Sequence, residues 1–321
     1  MLTVQNIYKG VRSGYKIKRS ISTNFKKIPS PLFMVWEATH DCNLNCSYCY
    51  TKNISNKELR TDAVMKIVKE ASQIGLFSLV VSGGEPLLRG DIFKIREYAK
   101  NLGLFVSLTT NGTLISDDNF EEISKFDHIT VSLDSEHSPF FKSFVFDGNN
   151  DIDVLKIVEK IKKKAKKTKL NIQIVIDENN FRNILDFNDK FYGIGVDAIY
   201  QLKNGRNFEI DEEFWTKAVD KMKFRSRAIG IISRKFLKLF PKIVRDDYKS
   251  PCLVLTSNFV VSPDGYMLPC NFVREPLFNL NEVSLTTAWN GMKTLRNYYS
   301  SERRECSCGN SCFIPPAIFL T

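Results

Sequence analysis

Cys42, Cys46 and Cys49 stand in a C-x3-C-x2-C spacing within Thr39-His40-Asp41-Cys42-Asn43-Leu44-Asn45-Cys46-Ser47-Tyr48-Cys49-Tyr50. A tight loop with this spacing can turn three thiolates toward one face of a metal centre. Thiolates suit iron–sulfur clusters and zinc. Three protein ligands on a four-iron cluster leave one iron open. An open metal position lets a small molecule bind and react, whereas a fully ligated site holds structure or passes electrons. Five more cysteines, Cys252, Cys270, Cys306, Cys308 and Cys312, fall in the last 70 residues. An even total of 8 could form disulfides, but a chain of 321 residues can build a core without staples. The clustering points instead to metal ligation.

The elements that must carry these cysteines follow from periodicity. Phe33 to Ala38 reads as a strand leading into the first cysteine loop. Thr61 caps a helix whose stripe is Val64, Ile67, Val68, Ala71 and Ile74, stopped by Gly75. A second strand, Leu76 to Val81, ends at Ser82-Gly83-Gly84-Glu85-Pro86, and Asp91 opens a second helix closed by Gly103. Leu104 to Leu108 is a third strand, followed by Thr109-Thr110-Asn111-Gly112, and a short helix lies near 117–125. Ile129 to Asp134 is a fourth strand, Leu170 to Ile176 a fifth and Ala198 to Leu202 a sixth, with helices at 153–165 and 183–190 between them. Six βα units in succession imply a parallel sheet. They are fewer than the eight of a closed barrel, so the expected fold is α/β, a partial (β/α)6 TIM-type barrel. Its C-terminal rim, where such folds keep their chemistry, receives the first cysteine loop.

The expected domain organisation is an N-terminal extension at 1–30, the partial barrel at 31–210 and a helical linker at 211–250. A small cysteine-rich α+β domain follows at 251–321. Within the last of these, Val260 to Pro269 reads as a hairpin turning at Pro263-Asp264-Gly265. That hairpin can bring Cys252 and Cys270 side by side.

Apolar residues make up 43% of the chain and charged residues 26%, which excludes a wholly disordered, collagenous or coiled-coil protein. No apolar run is long enough to span a membrane. Met1 to Ser30 lacks the apolar core and cleavage site of a secretory signal, so the cytoplasm is the expected compartment. The net charge of +10 favours anionic partners without choosing among them. Lys162-Lys163-Lys164-Ala165-Lys166-Lys167 reads as the solvated face of a helix. Residues 211–240 read as one or two basic amphipathic helices packed on the barrel, with a membrane-surface role as the alternative. Neither aromatic–basic interleaving nor a known module is evident, which argues against nucleic acid.

C-x3-C-x2-C with an aromatic, Tyr48, just before the third cysteine resembles the signature of the radical S-adenosylmethionine (SAM) enzymes. The resemblance covers roughly residues 31–206. It implies that Cys42, Cys46 and Cys49 hold a [4Fe-4S] cluster whose open iron chelates the amino and carboxylate groups of SAM. It implies that an electron from the reduced cluster splits SAM to a 5′-deoxyadenosyl radical, which abstracts a substrate hydrogen. The cofactor supplies the radical chemistry, and the protein supplies position and exclusion. Gly83, Gly84, Glu85 and Pro86 then form the edge that receives the SAM amino group, the glycines allowing close backbone approach. Thr110, Asn111, Ser132 and Asp134 are further SAM contacts at rim positions. The arginine–glycine pair that many members place near the SAM carboxylate is replaced by Phe146-Asp147-Gly148. Adenine recognition on the fifth strand is expected to be mostly backbone and apolar. Of His40, His128 and His137, only His40 lies near the cluster, where it is read as ordering the loop rather than ligating iron.

Cys252, Gly265 and Cys270 read C-x12-G-x4-C, which resembles the auxiliary-cluster extensions called SPASM and twitch. Five cysteines suffice for one auxiliary [4Fe-4S] cluster with one left over, so the region is read as twitch-like or a shortened SPASM. Cys252, Cys270 and Cys312 are its ligands, with Cys306 and Cys308 competing for the fourth place. Asn271 to Arg274 and Glu282 to Trp289 read as a capping loop and a short helix. Full ligation by thiolates favours electron transfer over substrate binding, and hence an oxidative outcome.

The resemblance thus implies an electron donor such as flavodoxin or ferredoxin, and a substrate that is a peptide or a small molecule. Peptide-modifying members often carry an N-terminal leader-binding domain, and only some 30 residues precede the first strand here. A peptide would therefore use another surface, with the basic helices at 156–169 and 221–245 facing an acidic leader. The C-terminal Gly-Gly of GTP-cyclising members is absent, the chain ending Ile318-Phe319-Leu320-Thr321. Oxidative modification of a ribosomal peptide is the leading expectation. Its alternatives are a sugar, cyclitol or nucleotide dehydrogenase and, in another class, a non-catalytic iron–sulfur or zinc module.

Overall fold

Alternation of apolar and polar side chains builds the sheet. Residues such as Val106, Leu108, Ile129, Val131, Ile172 and Ile174 take one face of their strands and are fully buried, while Thr109, Ser132, Asn171 and Gln173 take the other. The computed structural model describes residues 30–46, 49–51, 54, 57–133, 144–145, 151–152, 154–203, 208–225, 227–248, 254–255, 257–292 and 295.

The strands are β1 (Phe33–Glu37), β2 (Ser78–Ser82), β3 (Phe105–Thr110), β4 (His128–Ser132), β5 (Phe144–Val145), β6 (Asp151–Ile152), β7 (Lys169–Ile176), β8 (Asp197–Leu202), β9 (Asn258–Val261), β10 (Tyr266–Leu268) and β11 (Phe278–Asn279). β1, β2, β3, β4, β7 and β8 pair parallel in that order, the six-strand succession expected from the βα alternation. β5 and β6 form a separate two-stranded ladder between β4 and the next helix.

The helices between the strands are α1 (Thr61–Gln73), α2 (Ile92–Asn101), α3 (Phe120–Ile123), α4 (Val154–Lys164) and α5 (Ile184–Gly193). α1 buries Val64, Ile67, Val68 and Ala71, the stripe read from the sequence, and α2 buries Ile92, Ile95 and Ala99. Each large apolar side chain so buried contributes roughly 1.5–3 kcal/mol. Gly75 and Gly103 end the two helices at positive φ, 83° and 80°.

Three local expectations are corrected. Thr61 is the first helical residue rather than the cap. Arg60 holds the cap position, and the Thr61 hydroxyl donates to Asp91 Oδ2 at 2.6 Å. The basic segment after Asp211 makes three helices, α6 (Glu212–Lys221), α7 (Arg227–Leu237) and α8 (Phe240–Val244). They are held together by Trp215, which stacks on Phe240 at 5.6 Å and donates its indole N–H to Leu237 O at 2.7 Å. The hairpin β9–β10 also does not stand apart from the barrel. β9 pairs parallel with β1, from Phe33↔Asn258 to Trp36↔Val261, and β10 and β11 extend the sheet to nine strands. β1 would otherwise present an unpaired edge, and the wholly buried β9 covers it. A last helix, α9 (Leu285–Gly291), is capped by Ser284, whose Oγ accepts the Thr287 N–H at 3.1 Å. No helix among the described residues is long and apolar enough to cross a membrane.

Candidate functional site

The first cysteine loop leaves β1 at its C-terminal end and is stitched to the turn after β2 by backbone alone. Ala38 N–H donates to Ser82 O, Gly84 N–H to Thr39 O and Glu85 N–H to Asp41 O, each at 2.8 Å. A Cβ on Gly84 would lie 2.1 Å from Asp41 O. One on Gly83, whose φ is +123°, would lie 2.3 Å from Thr39 O. The close approach that these glycines permit is to the backbone of the cysteine loop. Arg89 secures the same loop from behind. Its buried guanidinium donates to Ala38 O at 3.1 Å and Leu59 O at 2.7 Å, with Asp91 as its carboxylate partner at 2.6 Å.

Glu85 is fully buried and spent internally. Its Oε1 accepts from Leu87 N–H at 3.0 Å and Thr110 Oγ1–H at 2.8 Å, and its Oε2 accepts from Asn111 N–H at 2.8 Å. The three predicted contacts Glu85, Thr110 and Asn111 thus meet, with the first two holding the third. Asn111 points its Nδ2 at Asn43 Oδ1, 2.9 Å away, and at Cys42 Sγ, 3.8 Å away. Burial raises the Glu85 pKa to about 6 from 4.5, although these three donors work against the rise. Folding therefore takes up a proton between about pH 4.5 and 6. The stability owed to this group falls as pH climbs through that window, by about 2 kcal/mol, and is level above it. A carboxyl-carbon NMR titration is expected to show a glutamate midpoint near 6 that disappears in Glu85→Gln. A spectrum with every glutamate midpoint near 4.5 would contradict this reading.

Cys42 is exposed, Cys46 and Cys49 are half-buried, and Cys270 is buried. Cys49 N–H donates to Cys46 O at 3.2 Å, closing the turn between those two residues. Cys42 Sγ accepts from Leu44 N–H at 3.4 Å, and Cys270 Sγ accepts from Val273 N–H at 3.2 Å. Although Cys42 is exposed as a residue, partial desolvation of its sulfur by the surrounding loop raises the Cys42 pKa, as do the nearby Glu85 and Cys49.

A second set of contacts joins the two cysteine regions. Glu37, the last residue of β1, has 0% exposure. It receives Arg274 through both oxygens at 2.9 Å, and His40 Nε2 lies 3.1 Å from its Oε2. His40 thus orders the loop, as read from the sequence. Burial works to raise the Glu37 pKa, but His40 and Arg274 more than offset it and hold the carboxyl below its ordinary value. Tyr50 OH accepts from Asn271 Nδ2 at 2.9 Å, and the Arg274 guanidinium lies 5.5 Å over the Tyr50 ring. Sequence reasoning missed Glu37, Arg89 and Arg274. The available signal was a lone acid closing the apolar run Phe33-Met34-Val35-Trp36, since a charge there must be paired.

The sheet face opposite the helices presents hydrogen-bonding side chains in register. One row runs Thr109↔Thr130↔Asn171 and the next Ser132↔Gln173, while Gln201 stands opposite Val175 one row further along. At its foot His128 Nε2 meets Asn171 Oδ1 at 2.7 Å, and burial lowers the His128 pKa. Tyr48, Asp134, His137, the Phe146-Asp147-Gly148 segment, Cys252, Cys306, Cys308 and Cys312 lie outside the described residues.

Residues 36–187 match the model of the radical SAM superfamily. The chain belongs to this superfamily. Residues 252–313 match the SPASM model, an iron–sulfur cluster-binding domain. Among similar proteins is an AdoMet-dependent heme synthase of Methanosarcina barkeri, 37% identical over 120 residues, or 36% of this chain and 34% of that protein. The match thus spans about a third of the heme synthase's own length. A probable GTP 3′,8-cyclase of Pyrococcus abyssi is 26% identical over 266 residues, 75% of this chain and 85% of that one. The crystal structure of Streptococcus suis SuiB bound to S-adenosylmethionine shares the fold, with a TM-score of 0.64 at 16% identity over 98% of this chain and 74% of that one.

Membership in a radical SAM family with a SPASM region brings a [4Fe-4S] cluster, SAM and auxiliary iron–sulfur ligation. The residues fit these groups. Among the described residues no three His, Cys, Asp or Glu side chains converge on one point as single-ion ligands. A cubane asks for something else, namely thiols on separate corners. Cys42 and Cys270 each accept a backbone N–H at sulfur, the second-shell bond that stabilises cluster thiolates.

Proposed function

We propose that this radical SAM enzyme takes a hydrogen atom from a peptide lying against the polar face of the sheet, with an oxidative outcome. The observation that carries the reading is the uncharged side chains of two adjacent rows, Thr109↔Thr130 and Ser132↔Gln173, with Gln201 further along β8. Hydroxyls and carboxamides both donate and accept. They match peptide units, each of which offers one donor and one acceptor. A triphosphate calls instead for Arg and Lys. Among the described residues, the cations around this face are engaged elsewhere: Lys169 at its foot lies 5.9 Å from the Phe105 ring, Lys203 after β8 pairs with Glu178, and Arg274 pairs with Glu37. The fold relative SuiB has been solved with its precursor peptide SuiA.

In this reading Cys42, Cys46 and Cys49 hold the SAM-binding cluster, and Cys252, Cys270, Cys312 and one of Cys306 and Cys308 hold the auxiliary one. When bound, the reduced cluster and SAM together supply hydrogen-atom abstraction. The chain's own residues orient and exclude. Gly83, Gly84 and Pro86 fix the loop's backbone edge. Glu85 and Thr110 hold Asn111 at the rim. Ser132, with Tyr48 and Asp134, completes the SAM contacts. Four thiolates at the auxiliary site would leave no open iron for substrate, so a cluster held there would supply electron transfer, and a flavodoxin- or ferredoxin-class partner would supply the reducing electron.

A nucleotide is the second reading, favoured by the 26% identity to the archaeal cyclase over 85% of that protein's length. The test offers reduced enzyme and SAM either a candidate precursor peptide deuterated at its side chains or GTP. Deuterium in 5′-deoxyadenosine and a peptide lighter by a pair of hydrogens is the expected result. Turnover of GTP with the peptide untouched would replace the first reading by the second.

A further inference from the structure

The two cysteine regions touch through residues beside their proposed ligands, not only through the sheet they share. Tyr50 directly follows Cys49, and Asn271 directly follows Cys270. The Asn271 carboxamide donates to the Tyr50 hydroxyl at 2.9 Å. Phe272 meets the Tyr50 ring edge-on, with centroids 6.3 Å apart. Arg274 crosses from the same segment to Glu37, at the start of the first loop, by a two-pronged pair at 2.9 Å for each prong. Its Nη2 also lies 3.2 Å from His40 Nε2.

We propose that Arg274 is a positioning residue that locks the Cys270 segment onto the Cys42–Cys49 loop through Glu37 and Tyr50, so that the two cluster sites hold one fixed separation and orientation. The functional part of this inference rests on the ligand assignments given above.

The chemistry favours a lock over an incidental surface pair. Glu37 is withdrawn from water, and a buried carboxylate that loses its cation keeps the full penalty of burial. The planar fork of arginine satisfies both oxygens of that carboxylate at once, which a lysine cannot do. Its flat face also lies over the Tyr50 ring, so one side chain reaches both ends of the first loop. β9 brings the C-terminal segment beside β1, and Arg274 fixes its register at the rim.

The test uses the full chain. Arg274→Met, Arg274→Lys and the double variant Glu37→Gln/Arg274→Met are compared with the parent by hydrogen exchange without iron and by electron paramagnetic resonance after anaerobic reconstitution. The double variant leaves no charge stranded and keeps the test usable should Arg274→Met fold poorly. Amides of both 42–50 and 270–274 are expected to exchange faster together, by about tenfold or more, while those of β2 to β4 keep their protection. Arg274→Lys is expected to recover part of that protection. At matched iron content, the spin–spin broadening between the two reduced clusters is expected to change in Arg274→Met. Faster exchange confined to 270–274, or in neither segment, overturns the lock. A chain that takes up no iron yet shows the coupled exchange keeps the lock and removes the ligand assignments.

Discussion

Replacing Cys42 with alanine is expected to remove SAM cleavage while leaving the fold intact. Cys42 is the exposed member of the first trio, so its side chain contributes little to the core. What it contributes is a sulfur at the rim that receives Leu44 N–H and faces the carboxamide of Asn111. Second-shell changes around metal sites cost 10- to 100-fold, so the loss of a direct ligand should lower 5′-deoxyadenosine formation by more than about 100-fold. The measurement is product formation under a strong reductant, with iron per chain and far-ultraviolet circular dichroism recorded on the same sample. An unchanged dichroism spectrum with iron and product both lost is the expected pattern. Full product formation by Cys42→Ala would show that this sulfur is not a ligand.

Gly84→Ala should be nearly as damaging by a different route. The added methyl would lie 2.1 Å from Asp41 O, with the Asp41 carbonyl carbon at 2.7 Å and His40 O also at 2.7 Å. These are backbone atoms held by the Gly84–Thr39 and Glu85–Asp41 hydrogen bonds, so no side chain can swing aside to make room. Either the loop leaves the turn or the turn leaves β2. Overpacking and loss of the two bonds together should cost about 3 kcal/mol or more, and the cysteine loop should lose its alignment first. Thermal unfolding and iron uptake measure the two effects. Gly90→Ala is the control, since a methyl there meets nothing within 4 Å. Equal stability and iron uptake in Gly84→Ala and Gly90→Ala would refute the close-approach account of the turn.

Much of the barrel was legible because its strands and helices are punctuated locally. Gly75 and Gly103 stop helices, and the alternation in Lys169–Ile176 divides buried from more open positions without tertiary information. The cysteine loop was legible because ligand spacing is itself local. Long-range pairing was not. Nothing in Asn258-Phe259-Val260-Val261 distinguishes a hairpin arm from a strand that docks parallel to β1, because both demand the same apolar run. The roles of Glu85 and Thr110 were hidden for the same reason. A polar residue at a strand end can face a ligand or a neighbouring turn, and only the three-dimensional path of the chain decides. Arg274 lies 237 residues from its partner Glu37, a separation over which spacing carries no information.

The most direct test of the account is whether a metal corner in the Cys42, Cys46 and Cys49 site takes the amino-acid end of SAM. Reduced, reconstituted chain would be mixed with SAM labelled with nitrogen-15 at the amino group and examined by electron–nuclear double resonance. A hyperfine coupling from that nitrogen to the cluster, present in the parent and gone in Cys46→Ala, is the expected result. A cluster that forms fully yet shows no coupling to the labelled nitrogen, or zinc in place of iron, would contradict it.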